Sequence, residues 1–202
     1  MKTWNIVAAA ALLLSGSVSA QDSLSSGFFA GTTIGWSKHT VGASNYEDES
    51  GSAVAVGLNG GYRYNANWSV LVDYSKYGQA DLFDFNYAGV PITVASDTKG
   101  LSVMGQYLTG HQVGEWAVGA RLGLISWQTD VNFKSGSNEL TFDDDSGVSV
   151  IGGLLASYSA TENLDLLLSA DWFVYDHDAA LLTNAAIDFQ HSRVGVTLQY
   201  NF

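Results

Sequence analysis

The chain has no cysteine, one proline and only eight lysines and arginines in 202 residues. Without cysteine there is no disulfide, no thiolate-bound metal and no lipid-acceptor cysteine behind a leader. So few cations against twenty acidic side chains exclude nucleic acid as a partner, because phosphate binding needs clustered lysine and arginine. Long apolar runs are missing too. The run from Ile6 to Leu14 falls well short of the ~20 residues that carry a helix across a bilayer. With Lys2 ahead of it and the small-residue exit Val18-Ser19-Ala20 behind, it reads as a secretory signal peptide. Residues 1–20 are expected to be cleaved, which leaves residues 21–202 as one domain outside the cytoplasm.

What remains is rich in glycine (22 residues) and in aromatic side chains (12%), a composition suited to strands. Eight segments alternate in character with a period of two: 27–37, 52–64, 68–77, 99–108, 116–127, 148–159, 164–175 and 188–202. Each reaches the ~9–11 residues with which a tilted strand crosses a bilayer. Short links at 65–67, 109–115 and 160–163 take strict turns with long ones at 38–51, 78–98, 128–147 and 176–187. All long loops then lie at one end of the sheet and all short turns at the other, as in an outer-membrane barrel.

The strand faces agree with this reading. One face carries Val54, Val56 and Leu58, then Val70 and Val72, then Leu122 and Leu124, then Leu166 and Leu168. The other carries Arg63, Asp73, Arg121, Asp165, Asp171 and Arg193. Alternation alone does not say which face looks inward. Aromatic placement does. Phe28, Tyr62, Trp68, Tyr107, Trp116 and Tyr158 share the apolar face beside the short turns, and Trp36, Tyr74 and Trp172 share it beside the long links. Two belts of rings flanking an aliphatic zone match the two interfaces of a bilayer. Ile151 and Leu155, on the inner face, make the lumen partly apolar.

The ending "RVGVTLQYNF", with Leu198, Tyr200 and Phe202 on one face, resembles the carboxy-terminal assembly signal of bacterial outer-membrane barrels. The hairpins "GLNGGYRYNANWSVLVDYSKYG" and "VSVIGGLLASYSATENLDLLLSADWFVYD" are similar to those of the small eight-stranded OmpA/OmpX-type barrels. That resemblance implies insertion by the barrel assembly machinery, with the last strand read as the signal. No periplasmic domain is expected beyond the eighth strand.

An eight-stranded barrel is just wide enough for side chains to fill it. The six inward charges are therefore expected to pair in a structural network, since a buried unpaired charge costs several kcal/mol. A gated path for water or ions through the same charges is the alternative. The long links are acidic, and the run Asp143-Asp144-Asp145 is the one candidate for a divalent cation. It lacks the ordered spacing and central glycine of a calcium loop, so no metal site is expected. His39, His111 and His177 fall in loops or turns. His191 and Ser192, near Asp188, come nearest to a catalytic set, yet neighbours on a strand point to opposite faces. No glycine-rich phosphate loop, His/Cys metal cluster or nucleophile elbow is present. Neither a cofactor nor an enzymatic activity is expected.

The sequence thus points to an all-β protein, an eight-stranded antiparallel up-and-down barrel in a Gram-negative outer membrane. It is expected to be monomeric, with termini in the periplasm and four acidic loops outside for structural or surface contacts. Its expected partners are outer-membrane lipid and lipopolysaccharide. A narrow pore and a lipid-modifying enzyme are the competing readings.

Overall fold

Period-two alternation places successive side chains on opposite faces of a strand, and each of the eight segments is a strand in the computed structural model of the chain. It describes residues 26–43, 49–110, 112–136, 138–177 and 187–202. Residues 1–20, Glu47, Asp48, His111 and Asp178 lie outside them, as do the side chains of Glu139, Asp143, Asp176, His177 and Asp188. The strands are β1 (Gly27–Ala43), β2 (Glu49–Arg63), β3 (Trp68–Tyr87), β4 (Val90–Leu108), β5 (Trp116–Ser135), β6 (Asn138–Ser159), β7 (Leu164–His177) and β8 (Ile187–Asn201). Each pairs antiparallel with the next. β1 closes on β8 in a register running from Phe29↔Asn201 to Ala43↔Ile187. Closure gives every strand a partner on each side, so none is an edge strand, which is what a hydrocarbon environment demands of a sheet.

The wall is inside-out relative to a soluble protein. On β8 Val194 is 62% exposed and Leu198 53%, while Arg193 is 1% exposed and Gln199 2%. Apolar side chains face outward on every strand, Ile34, Leu58, Leu122, Val150 and Leu168 among them. A continuous apolar girdle of that extent is far larger than soluble surfaces carry. The turn-side aromatic belt is built of contacting pairs: Phe28–Tyr62, Trp68–Tyr107, Trp116–Tyr158 and Tyr200–Phe202 all lie with ring centroids 5.0–5.2 Å apart. At the other end Trp36, Tyr74 and Trp172 are exposed beside the hairpins.

The short turns are held by their own polar side chains. Asn65 Oδ1 accepts from the backbone N–H of Asn67 and of Trp68, both at 2.9 Å. Asn67 Nδ2 then donates to the Leu108 carbonyl at 2.8 Å and ties this turn to the next.

Two of the four expected long loops are corrected by the structure. Residues 78–98 and 128–147 are strand for most of their length, so β3 and β4 meet at Ala88 and Gly89, and β5 and β6 meet around Gly136. Ala88 has φ 50° and Gly89 φ 84°, the paired positive values of a two-residue type I′ hairpin turn. Four strands side by side supply one another's hydrogen bonds beyond the bilayer, so the ladder continues where the composition turns acidic. Lys134 Nζ reaches Asp81 at 2.7 Å and Thr93 Oγ1 donates to Asp84 at 2.6 Å, fastening β3, β4 and β5 together. The acidic residues Asp81, Asp84, Asp97, Asp130, Asp144 and Asp145 thus stand on strands, not in loops.

Candidate functional site

Inward positions follow from the parity of each strand, and they fill the cylinder in layers. Nearest the short turns, Arg63 closes β2 and Asp165 opens β7. Their Nη2 and Oδ2 atoms are 2.9 Å apart. Gln199 at 3.3 Å and Asn201 at 2.9 Å donate to the same oxygen. Leu108, Ala117, Leu155 and Leu167 pack as a small apolar cluster.

The middle layer is decided by register. Arg121, Gly153, Asp171 and Arg193 are cross-strand neighbours on β5, β6, β7 and β8. A Cβ on Gly153 would fall on Asp171 Oδ1, so glycine there opens the space over which Arg121 reaches Asp171. The contact is bidentate, Nε to Oδ1 at 2.6 Å and Nη2 to Oδ2 at 2.5 Å. Arg193 approaches the same carboxylate from the other side, Nη2 to Oδ2 at 3.0 Å. Its Nη1 extends to Asp73 Oδ1 at 3.5 Å and donates to Ser75 Oγ. Ser75 in turn donates to Asp73 at 2.5 Å. Forked guanidinium–carboxylate geometry is the strong form of such pairs. The structure brings all six inward charges into ion pairs, and their formal charges sum to zero.

Above this lies a layer that the sequence reading did not anticipate. Tyr77, Trp127, Phe173, Tyr175 and Phe189 are buried together with Ile125 and Ile151. His39 and His191 join them, both 0% exposed, with ring centroids 4.3 Å apart. This corrects the placement of His39 in a loop, since it stands on β1 facing inward. Trp127 stacks on Tyr175 at 3.7 Å, and Tyr175 on Phe189 at 5.3 Å. A hydroxyl chain runs through the layer: Thr98 to Thr129 at 2.9 Å, Thr129 to Tyr175 at 2.6 Å, and Tyr175 to His191 Nε2 at 3.2 Å. Parity counted from the charged residues would have found them. Tyr77 is two residues beyond Ser75, Phe173 and Tyr175 follow Asp171 by two and four, and His191 and Phe189 precede Arg193 likewise.

The other sequence candidates do not converge. Ser192 lies on the outward face and His191 is buried inside, so they form no dyad. Asp144 and Asp145 are strand neighbours on β6 opposite Asp130 and Thr129, and their side chains diverge. Among the described residues no three His, Cys, Asp or Glu side chains gather as metal ligands. Leu198 and Tyr200 are exposed on the outward face of β8, and Phe202 follows at 75% exposure.

A closed cylinder with lipid-compatible walls and an internally neutralised lumen describes the class. Residues 8–202 match the family model for the outer membrane protein beta-barrel domain. The chain belongs to that family. Its place is the outer membrane. The solved structure of Neisserial surface protein A is similar, with a TM-score of 0.53 at 14% identity, over 87% of this chain and 97% of that one. The outer membrane protein OprG from Pseudomonas aeruginosa is also similar, with a TM-score of 0.56 at 13% identity, over 88% of this chain and 98% of that one. At such identities the likeness is one of fold. No curated protein matches the sequence.

Proposed function

We propose that this outer-membrane barrel is a non-enzymatic surface protein with a closed lumen, its termini in the periplasm and its long hairpins outside. The observation that carries the reading is the filled interior. Three successive layers, the Arg63–Asp165 pair, the Arg121–Asp171–Arg193–Asp73 network and the aromatic–histidine stack, are buried across the cylinder. Each charged group in them has an opposite partner, so little is left to solvate a passing ion.

The hairpins supply the surface. β3, β4, β5 and β6 continue as a four-stranded projection whose tip exposes Phe83, Phe85, Tyr87 and Leu140 beside Asp81 and Asp84. Exposed aromatic side chains within an acidic rim favour contact with a protein partner over passage of solutes. The girdle is apolar all round, consistent with a monomer in lipid and lipopolysaccharide. The terminal aromatic supports recognition by the assembly machinery.

Planar bilayers test the lumen. The reconstituted protein is expected to be silent, and stable conductance that changes on Arg121→Ala would establish a pore instead. Labelling of intact cells at a cysteine introduced at Gly89 tests orientation. Reaction from outside is expected, and protection until lysis would reverse the barrel.

A further inference from the structure

Besides the three lumen arginines and Lys134, which pairs with Asp81, the described strands carry three more cations, Lys38, Lys76 and Lys99. All three stand on the outward face. Lys76 and Lys99 are direct partners in the β3–β4 register. Their Cβ atoms therefore lie about 4.5–5.5 Å apart, and like charges so placed destabilise a sheet. Among the described residues neither makes an ion pair, although Asp97 and Asp130 occupy the next outward positions toward the hairpin tips. A protein with eight cations and twenty carboxylates has thus placed two bare ammonium groups side by side.

The surroundings explain what they await. One step toward the membrane centre the outward row reads Tyr74, Leu101, Ser126 and Val148 across β3 to β6. The lysine row continues as Gln128 and Ser146. A groove of about 530 Å³ runs along these rows, with Tyr74, Lys99, Leu101, Gln128, Ser146 and Val148 in its lining. Its apolar edge faces the hydrocarbon and its polar edge begins just beyond Tyr74, a ring of the hairpin-side belt. Cationic and hydroxyl groups therefore stand at headgroup depth, directly above a slot that suits an acyl chain.

Resting on the orientation proposed above, we infer that Lys76 and Lys99 bind the phosphate of an outer-leaflet phosphorylated glycolipid, the lipid A part of lipopolysaccharide, whose sugar and first acyl carbons occupy the groove. The anion removes the lysine–lysine repulsion and receives two charge-assisted hydrogen bonds. The carboxylate row Asp97–Asp130–Asp144, one step further out, confines it to the lysine level.

The test is binding of lipid A to the folded, detergent-solubilised full barrel by native mass spectrometry and titration calorimetry, with folding of each variant confirmed by its heat-dependent electrophoretic shift. Lys76→Gln/Lys99→Gln is expected to weaken binding by about tenfold or more, Lys76→Arg/Lys99→Arg to keep it, and Lys134→Gln to leave it unchanged. Dephosphorylated lipid A should bind as poorly to the native protein as lipid A does to the glutamine variant. Stability should also invert: without lipid A, Lys76→Gln unfolds at higher denaturant than the native protein, and with lipid A at lower. Equal binding by the native and glutamine proteins, or equal binding of phosphatidylglycerol, would overturn the site. These measurements do not depend on which end of the barrel faces out. A barrel that binds lipid A but labels at Gly89 only after lysis refutes the orientation, and the outer-leaflet occupant with it.

Discussion

Removing the Asp171 carboxylate is the sharpest perturbation the lumen offers. Asp171 holds two guanidinium groups, Arg121 through bonds of 2.6 and 2.5 Å and Arg193 at 3.0 Å, and it is 2% exposed. In Asp171→Ala, Arg193 keeps Asp73 and Ser75, whereas Arg121 is left with no ion-pair partner among the described residues. Breaking a buried pair by deleting one partner costs about 3–5 kcal/mol, which is roughly two to four decades in the unfolding equilibrium. The assay is denaturant unfolding in phospholipid vesicles, followed by tryptophan fluorescence and by the heat-dependent electrophoretic shift. Arg121→Met/Asp171→Ala should recover at least about 1 kcal/mol of the loss, because the orphaned charge is gone while most of the packing volume remains. Should Asp171→Ala unfold within about 0.5 kcal/mol of the native protein, the arginines are already solvated by water. The closed-lumen argument then fails.

Three further outcomes follow from the same geometry. Gly153→Val, whose Cβ falls on Asp171 Oδ1, should destabilise the barrel by about 1–3 kcal/mol in the same assay. Gly152→Val should be nearly neutral, because its Cβ points outward with no atom nearer than 3.7 Å. In vesicles of brominated lipid, a protein retaining only Trp116 (58% exposed) should be strongly quenched, and one retaining only Trp127 (5% exposed) should not. Phe202→Ala should lower the amount of protein in the outer membrane while barely changing unfolding in vesicles. The ring is exposed, and the Phe202 N–H bond to the Phe28 carbonyl at 2.9 Å needs no side chain.

The strands were legible because lipid and lumen impose opposite chemistries on alternate residues. Val194, Val196 and Leu198 against Arg193, Thr197 and Gln199 leave one orientation once the aromatic belts fix the outer face. The short turns were equally plain in "NAN" and "ATEN". The hairpin extensions were not. Above the belt both faces meet water or other protein, so the alternation loses its contrast, and acidic residues on a ladder look the same as acidic residues in a loop. The histidine–aromatic layer was hidden for a related reason. His39 lies where a loop was expected and His191 near the loop end of the eighth strand, and the continued pairing of β1 with β8, His39↔His191, brings the two together inside.

By itself the sequence determined the number of strands, the face each turns to lipid and the six charges that must share the interior, because these are matters of parity along a single strand. The tertiary structure alone decided which charge meets which. Arg121 and Asp171 are fifty residues apart, and what joins them is the register of three adjacent strands and the space left by Gly153. The adjacency of Lys76 and Lys99 is of the same kind. It arises from the stagger of β3 on β4, and hydrogen bonds across the barrel wall set that stagger.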